Sequence, residues 1–429
     1  MISIPYPQFK ENLFYEKLDN GLDVYIWPKV GFQKTYATLS TRYGSIDQHF
    51  QLEGHEEMTL PEGIAHFLEH KMFEKEEGDV FNRFAAHGAS ANAYTSYDRT
   101  AYVFSATQEM TTHIITLLDF VQNPHFTDAG VDKEIGIIRQ EIQMYQDQPD
   151  WRNYTQLLQA MYRFHPIRSD ILGTAASIEQ ITKDHLYACY ETFYQPHNMM
   201  LFIVGGVDPY EMMTVIHNNQ KHKHVPKPKS IRRFVTEEPL EINIRQQIIH
   251  LPVSTHKCLF GFKESAPNIT GNALLRYELT THLVLDICFS ASSPIYRDLY
   301  DEQQITDRFG YEFQCSTEYA FSVIGGDSPQ PEVMMKRIEE LLIPLIQQGI
   351  DVESFERARK KKMGHFLRMM NSPEAIAHEF TKYRFKGIDL MDMYAIYEQI
   401  TLEEMNQRLR EHMIWSQMAI SIVQQPEVL

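Results

Sequence analysis

Cysteine is scarce. Four thiols in 429 residues, Cys189, Cys258, Cys288 and Cys315, lie far apart with no C-x-x-C pair. A chain this long can bury a core without covalent staples, so the scarcity argues against a disulfide framework and for free thiols in a reducing compartment. Positive charge is short as well: Lys+Arg 40 against Asp+Glu 57 leaves a net −17. Proteins that grip a phosphate backbone need a cationic face, and no basic, aromatic-rich stripe is present, so nucleic-acid binding is disfavoured. No run approaches the roughly 18–20 apolar residues that span a bilayer. The run 199–204 is ended by Gly205-Gly206, and the first ten residues lack the apolar segment of a secretory signal. A soluble, cytoplasmic protein with no membrane span is expected. Gly205-Gly206 and Gly325-Gly326 also lack the G-x-G-x-x-G context of a phosphate cradle.

What is present reads as an ordinary globular chain, with 43% hydrophobic and 23% charged residues. Its length exceeds the roughly 100–200 residues of one domain, and the sequence repeats itself once. Glu179-Gln180-Ile181-Thr182 recurs as Glu398-Gln399-Ile400-Thr401, an offset of 219 (398 − 179). The same offset lays Met199, Leu201, Ile203 and Val204 on Met418, Ile420, Ile422 and Val423. In both copies a helix-like stretch leads into a strand-like run, which marks a duplicated domain. Between the copies, 218–233 carries His222, His224, Pro226, Pro228 and several lysines. Its proline, charge and lack of apolar period read as an exposed linker with solvated histidines rather than an H-x-H metal pair. The expected domains are 1–220 and 236–429, joined by 221–235.

In the first copy, the patterns predict strands at 22–27 and 35–42, then helices at 63–73 and 80–87. A hairpin follows, 90–95 and 100–106, turning through Ser96-Tyr97-Asp98-Arg99. Helical periods cover 110–122, 130–146, 151–164 and 177–193, and a strand at 199–204 closes the copy. Antiparallel pairs packed with helices give an α+β class: two tandem homologous α/β sandwich domains, each an antiparallel sheet with helices.

The most informative segment is His66-Phe67-Leu68-Glu69-His70. On a helix, residues i and i+4 share a face, about 5–6 Å apart at Cβ, so His66 and His70 can point at one ion with Glu69 beside them. Zinc takes two histidines and a carboxylate in several hydrolases, and its open position lowers the pKa of water to about 7. Glu69 would then take that water's proton and deliver it to a leaving amine. Glu134 and Glu141, two helical turns apart, share a face with Ile137 and Ile138. Carboxylates beside apolar residues need a cation or a donor. The other reading, an amphipathic helix whose glutamates edge into solvent, stays open on spacing alone. His49, His55 and His87 read as surface or capping residues rather than ligands.

H-x-x-E-H is the inverted zincin signature. Here it comes as Gly63-Ile64-Ala65-His66-Phe67-Leu68-Glu69-His70-Lys71-Met72-Phe73, followed by Gly88-Ala89-Ser90-Ala91-Asn92-Ala93-Tyr94-Thr95 and then by Glu134 and Glu141. In this order the pieces resemble the pitrilysin/insulysin/mitochondrial processing peptidase family of zinc metallopeptidases, and the short bacterial two-domain members above all. The resemblance covers essentially the whole chain. It implies one Zn2+ held by His66, His70 and Glu141, with Glu69 as general base. Glu134 becomes a supporting carboxylate that orients a histidine ligand. Asn92 and Ala93 fall on the family's edge strand, where an extended peptide substrate pairs by β-augmentation.

At offset 219, Leu285-Asp286-Ile287-Cys288-Phe289 stands where the second copy of the motif would fall without gaps, and it cannot bind zinc in the same way. In the family, the metal-free domain instead offers an arginine and a tyrosine that hold substrate. The matching stretch here, Ser292-Ser293-Pro294-Ile295-Tyr296-Arg297-Asp298-Leu299-Tyr300, puts Tyr300 at the arginine position and Asp307 at or near the tyrosine position, with Tyr311 a shifted substitute. The anchoring pair is missing. The resemblance therefore implies a zinc metalloendopeptidase acting on short or unfolded peptides, the metal-bearing subunit of a heterodimer whose homologous partner supplies the Arg/Tyr pair. A homodimer is the variant of this expectation. The alternative function is a non-catalytic scaffold or binding subunit of a processing complex.

Overall fold

The computed structural model describes residues 1–221, 223, 228–235 and 237–426; the linker residues His222, His224 and Pro226 lie outside the described residues. The chain gathers into two compact units, each assembled from separate stretches. The first comprises 1–142, 170–234 and 369–385, and the second 143–169, 235–368 and 386–429. Each sequence half thus lends a helix to the other half's unit.

In the first unit a seven-stranded sheet runs, edge to edge, Ile2–Tyr6, Glu11–Lys17, Asp23–Pro28, Met199–Gly205, Thr35–Thr41, Thr100–Ala106 and Ser90–Thr95. Every adjacent pair is antiparallel except Met199–Gly205 with Asp23–Pro28. The central strand Met199–Gly205 is buried along its whole length, as expected of an apolar run covered on both faces. Helix Pro373–Phe385, from the C-terminal half, packs against it and against Thr35–Thr41. Phe380 stacks on Phe202 with ring centroids 4.2 Å apart and meets Tyr25 and Trp27 edge-on. Among the described residues the strand Ser90–Thr95 pairs on one side only, with Thr100–Ala106, and ends the sheet.

The second unit repeats the plan with five strands, in the order Gln246–His250, Met418–Gln424, Lys257–Glu264, Ala320–Asp327 and Gly310–Cys315. Again one pair is parallel, Gln246–His250 with Met418–Gln424, and the rest are antiparallel. Helix Pro149–Met161, from the N-terminal half, packs on this second sheet against Lys257–Glu264 and Met418–Gln424. The fold is α+β, two tandem homologous domains of antiparallel-dominated sheet and helix.

Two expectations are corrected. The helical period over 177–193 is two helices, Ala175–Ile178 and Lys183–Phe193. The break falls at Thr182, whose hydroxyl accepts from the His185 N–H and so starts a new helix by capping it. His49, read from the sequence only as a surface or capping residue, sits on strand His49–Leu52, which pairs with Glu57–Thr59 and Ile231–Arg233 in a small separate sheet. Its Nε2 meets Glu57 at 2.5 Å. That sheet is short and polar, and it carries too little apolar alternation to be visible from pattern.

Beneath the second sheet lies a buried ionic cluster. Glu264, last on its strand, meets Arg408, His412 and the Tyr277 hydroxyl, and His412 Nε2 lies 2.9 Å from Ser322 Oγ. Burial disfavours charge on Glu264, but His412 and Arg408 outweigh it and hold its pKa at about 2. A carboxyl with a folded pKa below its unfolded value contributes stability that is full above about 4.5 and is lost as pH falls toward 2. Glu264→Gln removes the buried counter-charge of Arg408 and leaves it only the exposed Glu411 at 4.0 Å, and thermal unfolding at pH 7 is expected to show a loss of about 3–5 kcal/mol. The gap between variant and parent should narrow as the pH falls below about 4.5.

Candidate metal and catalytic centre

Helix Ile64–Phe73 carries the H-x-x-E-H residues and is buried almost all round, with Ile64, Ala65, Phe67, Leu68, Met72 and Phe73 in the core. A helix with so little exposed surface is placed by packing on every side. Phe73 stacks on Phe81 at 4.2 Å and contacts Phe120 at 5.1 Å. At its N-terminus Gly63 takes a left-handed φ of 88°, and an added Cβ would lie 2.4 Å from the Leu172 carbonyl oxygen. Only glycine allows the chain to enter the helix there.

The two imidazoles lie one turn apart with ring centroids 4.4 Å from each other. Helix Asp128–Gln146 brings the carboxylates. Val131, Glu134, Ile138 and Ile142 are its buried positions, while Ile137 is 43% exposed. Glu134 therefore sits inside an apolar stripe, where an unpartnered carboxylate would be costly. It accepts a hydrogen bond from His70 Nδ1 at 3.1 Å. That bond fixes the His70 proton on Nδ1 and leaves the Nε2 lone pair free.

Glu141 Oε2 lies 3.9 Å from His66 Nε2 and 3.7 Å from His70 Nε2. These separations are too long for hydrogen bonds. One ligand atom from each of His66, His70 and Glu141 lies within 4.8 Å of the others. Three donors around a common centre suit an ion bound at about 2.0–2.2 Å from each. The donor chemistry, two imidazoles and a carboxylate, fits a borderline dication and leaves a fourth position open. His66 Nδ1 is buried with no hydrogen-bond partner among the described residues, and its Nε2 is the nitrogen turned toward Glu141. Burial, followed by the neighbouring His70 charge, pulls His66 down to about 3 and keeps the ring neutral, the form that ligates. For His70, burial favours the neutral form, but the Glu134 hydrogen bond and the Glu69, Glu134 and Glu141 charges outweigh it and raise its pKa. Burial raises Glu141, partly offset by His70, with Glu134 and Asp170 adding to the rise.

Glu69 projects from the same helix and is buried. Burial pushes its carboxyl up to about 7 against a hydrogen bond from Thr95 and the charge of His70. Thr95 Oγ1 donates to Glu69 Oε2 at 2.6 Å. Thr95 was not singled out by sequence reasoning; the signal was only that it ends the edge strand that carries Asn92 and Ala93. On that strand Asn92 Oδ1 accepts from the Ala93 N–H at 2.9 Å. Ala93 pairs with Tyr102 and Asn92 with Val103 on the sheet side, and among the described residues the other side of the strand has no sheet neighbour.

The second unit lacks such a group among the described residues. Its hairpin gives the true correspondence. Thr95 and Cys315 each end the first strand of a hairpin whose turn closes from a serine N–H, Ser96 to Arg99 O and Ser316 to Tyr319 O. Thr95 meets Glu69, and Cys315 Sγ meets Glu278 at 3.7 Å on helix Gly271–Phe289. Aligning the two glutamates puts Leu275 opposite His66 and Leu279 opposite His70, both leucines buried. The gap-free match to Leu285–Phe289 is therefore displaced, because the spacing from glutamate to hairpin is longer in this copy. Tyr311 does not project as a free anchor, since its hydroxyl donates to Asp286 and accepts from Lys362 Nζ. Tyr300 is half exposed and stacks on Tyr296, and Asp307 is exposed.

Residues 54–175 match the family model described as Insulinase (Peptidase family M16), and residues 180–362 match that of the Peptidase M16 inactive domain. The chain is 47% identical to YmfH of Bacillus subtilis (strain 168), described as an uncharacterized zinc protease, over 409 residues that cover 95% of each protein. Among solved structures, an M16-like peptidase from Alicyclobacillus acidocaldarius is similar with a TM-score of 0.95 and 42% identity, covering 99% of this chain and 100% of that one. The periplasmic protease PqqL from Escherichia coli shares the fold, with a TM-score of 0.75 at 18% identity over 99% of this chain but 48% of its own. No described helix is long and apolar enough to cross a membrane.

Gly63→Ala tests how the motif helix is seated. A Cβ meeting backbone at 2.4 Å on a left-handed residue should cost about 1–3 kcal/mol or more, read as a lowered Tm. A variant that melts with the parent would mean that the helix entry can yield.

Proposed function

This chain belongs to the insulinase family of peptidases, family M16, and from that premise we propose that it is a zinc metalloendopeptidase of short or unfolded peptides. The observation that carries the reading is the gathering of His66, His70 and Glu141 within 4.8 Å beside a buried glutamate. In this reading His66 and His70 hold the ion through Nε2 and Glu141 through a carboxylate oxygen. Glu134 keeps the His70 proton on Nδ1 and so keeps the ring turned to its task. When bound, the zinc supplies Lewis acidity toward water and the scissile carbonyl. Glu69 takes the proton of the attacking water and passes it to the leaving amine. The open side of strand Ser90–Thr95 presents backbone N–H and C=O groups to an extended peptide, with Asn92 and Ala93 among the pairing residues. Pairing of that kind favours an extended chain whose backbone groups are not already paired in helix or sheet.

We further read the chain as the metal-bearing subunit of a two-chain peptidase with a homologous partner, and as cytoplasmic. The engaged Tyr311, the absence of an arginine at Tyr300 and the half-length match to PqqL support the first. The second rests on four buried cysteines, none of them in a disulfide. Peptide chemistry needs the scissile carbonyl held in place, and such positioning lowers the barrier by several kcal/mol.

Two measurements test these readings. Glu69→Gln should retain zinc, measured by metal analysis, while kcat for a peptide falls by roughly 10²–10⁴; Glu141→Gln should lose zinc at chelator concentrations that the parent survives. A Glu69→Gln variant that cleaves like the parent would overturn the base assignment. The purified chain alone should cleave a peptide library slowly and gain activity with a homologous subunit bearing the Arg/Tyr pair. Full endopeptidase activity of the isolated chain would remove the heteropartner.

A further inference from the structure

The base of the proposed reaction has one handle. Glu69 is buried on the motif helix, and among the described residues Thr95 is its hydrogen-bond partner, at 2.6 Å to Oε2. The direction of that bond is set by the carboxylate, which in its ionised form can only accept. Thr100 Oγ1 gives its proton to the Tyr43 carbonyl at 2.9 Å, and lies 3.4 Å from Thr95 Oγ1. Thr100 Oγ1 can then only accept from Thr95, and at 3.4 Å it is the more distant acceptor, so Thr95 gives its single proton to the Glu69 carboxylate at 2.6 Å. One oxygen of Glu69 is held, and the other is left for water.

We propose that Thr95 is a positioning residue for peptide hydrolysis, its hydroxyl fixing the Glu69 carboxylate from the end of the strand that pairs with substrate. This rests on the endopeptidase reading above. Two features of the structure point the same way. Thr95 lies two residues beyond Ala93 on the same edge strand, so the strand that would align a peptide also aligns the base. In the second unit, where leucines replace both imidazoles, the equivalent residue is Cys315, and its contact to Glu278 is 3.7 Å. A thiol is a weak donor. The strong donor thus stands in the unit that keeps the metal-ligating side chains, and the weak one in the unit that lost them.

The test compares Thr95→Val, which keeps the branched shape without the hydroxyl, with Thr95→Ser, which keeps the hydroxyl. Both are made in the full chain and assayed with whatever partner renders the parent active. Thr95→Val should bind zinc and melt like the parent and keep its KM, while kcat falls about tenfold or more, part of the roughly 10²–10⁴ that a placed base contributes. Thr95→Ser should recover most of that loss. A crystal structure of Thr95→Val should show the Glu69 carboxylate rotated out of its parental position. Parental kcat in Thr95→Val, a loss confined to Tm, or an unmoved carboxylate would each overturn the proposal. If the parent cleaves no peptide, or Glu69→Gln cleaves as well as the parent, the endopeptidase reading fails instead. The crystallographic comparison then still decides whether Thr95 sets the carboxylate.

Discussion

The structure depends on gathering two imidazoles and three carboxylates at one place, most of them withdrawn from solvent. His66, Glu69 and Glu134 are buried, and Glu141 is held 3.7–3.9 Å from both rings without a hydrogen bond to either. Such a group loses hydration without pairing all its charge. The surrounding structure is arranged to hold it in place. The motif helix enters over a glycine that no other residue could replace without clash. Aromatic rings wedge its far end, and the second helix spends a core position on Glu134. A cation among these donors converts the cost into binding energy.

The second unit shows the same architecture relieved of that cost. Leu275 and Leu279 occupy the positions of the histidines and are fully buried, the arrangement that an apolar core favours. Glu278 survives beside Cys315, as the counterpart of Glu69 beside Thr95. Nearby charge is neutralised by protein groups: Asp286 meets Lys361, Lys362 and the Tyr311 hydroxyl. In the proposed reading, one copy leaves its charge to an outside ion, and the other satisfies its demand internally. Divergence after duplication is here a redistribution of charge compensation on one sheet plan.

Much of this was legible beforehand. The hairpin strands Ser90–Thr95 and Thr100–Ala106 and the helix Met110–Gln122 coincide with their patterns, because strand alternation, the polar turn and the helical period each act over a few residues. Two strands at the start of the chain, Ile2–Tyr6 and Glu11–Lys17, carried no readable signal. Their burial is partial, and their pairing depends on a sheet built later in the chain. The exchange of helices Pro149–Met161 and Pro373–Phe385 was also invisible, since an amphipathic period states that a face is buried and not which sheet covers it.

The sequence by itself determined which groups share a face: His66 with His70 on one turn, Glu134 with Glu141 two turns apart, and the repeat that doubles the sheet. Helical geometry is local, so spacing suffices for such statements. Only the tertiary structure decided that Glu134 reaches His70 rather than solvent, that Thr95 holds Glu69, and that the lost second motif is Leu275, Glu278 and Leu279 rather than Leu285–Phe289. Those relations join residues far apart in the chain, and the packing of helices against sheets sets their distances. No periodicity encodes that packing.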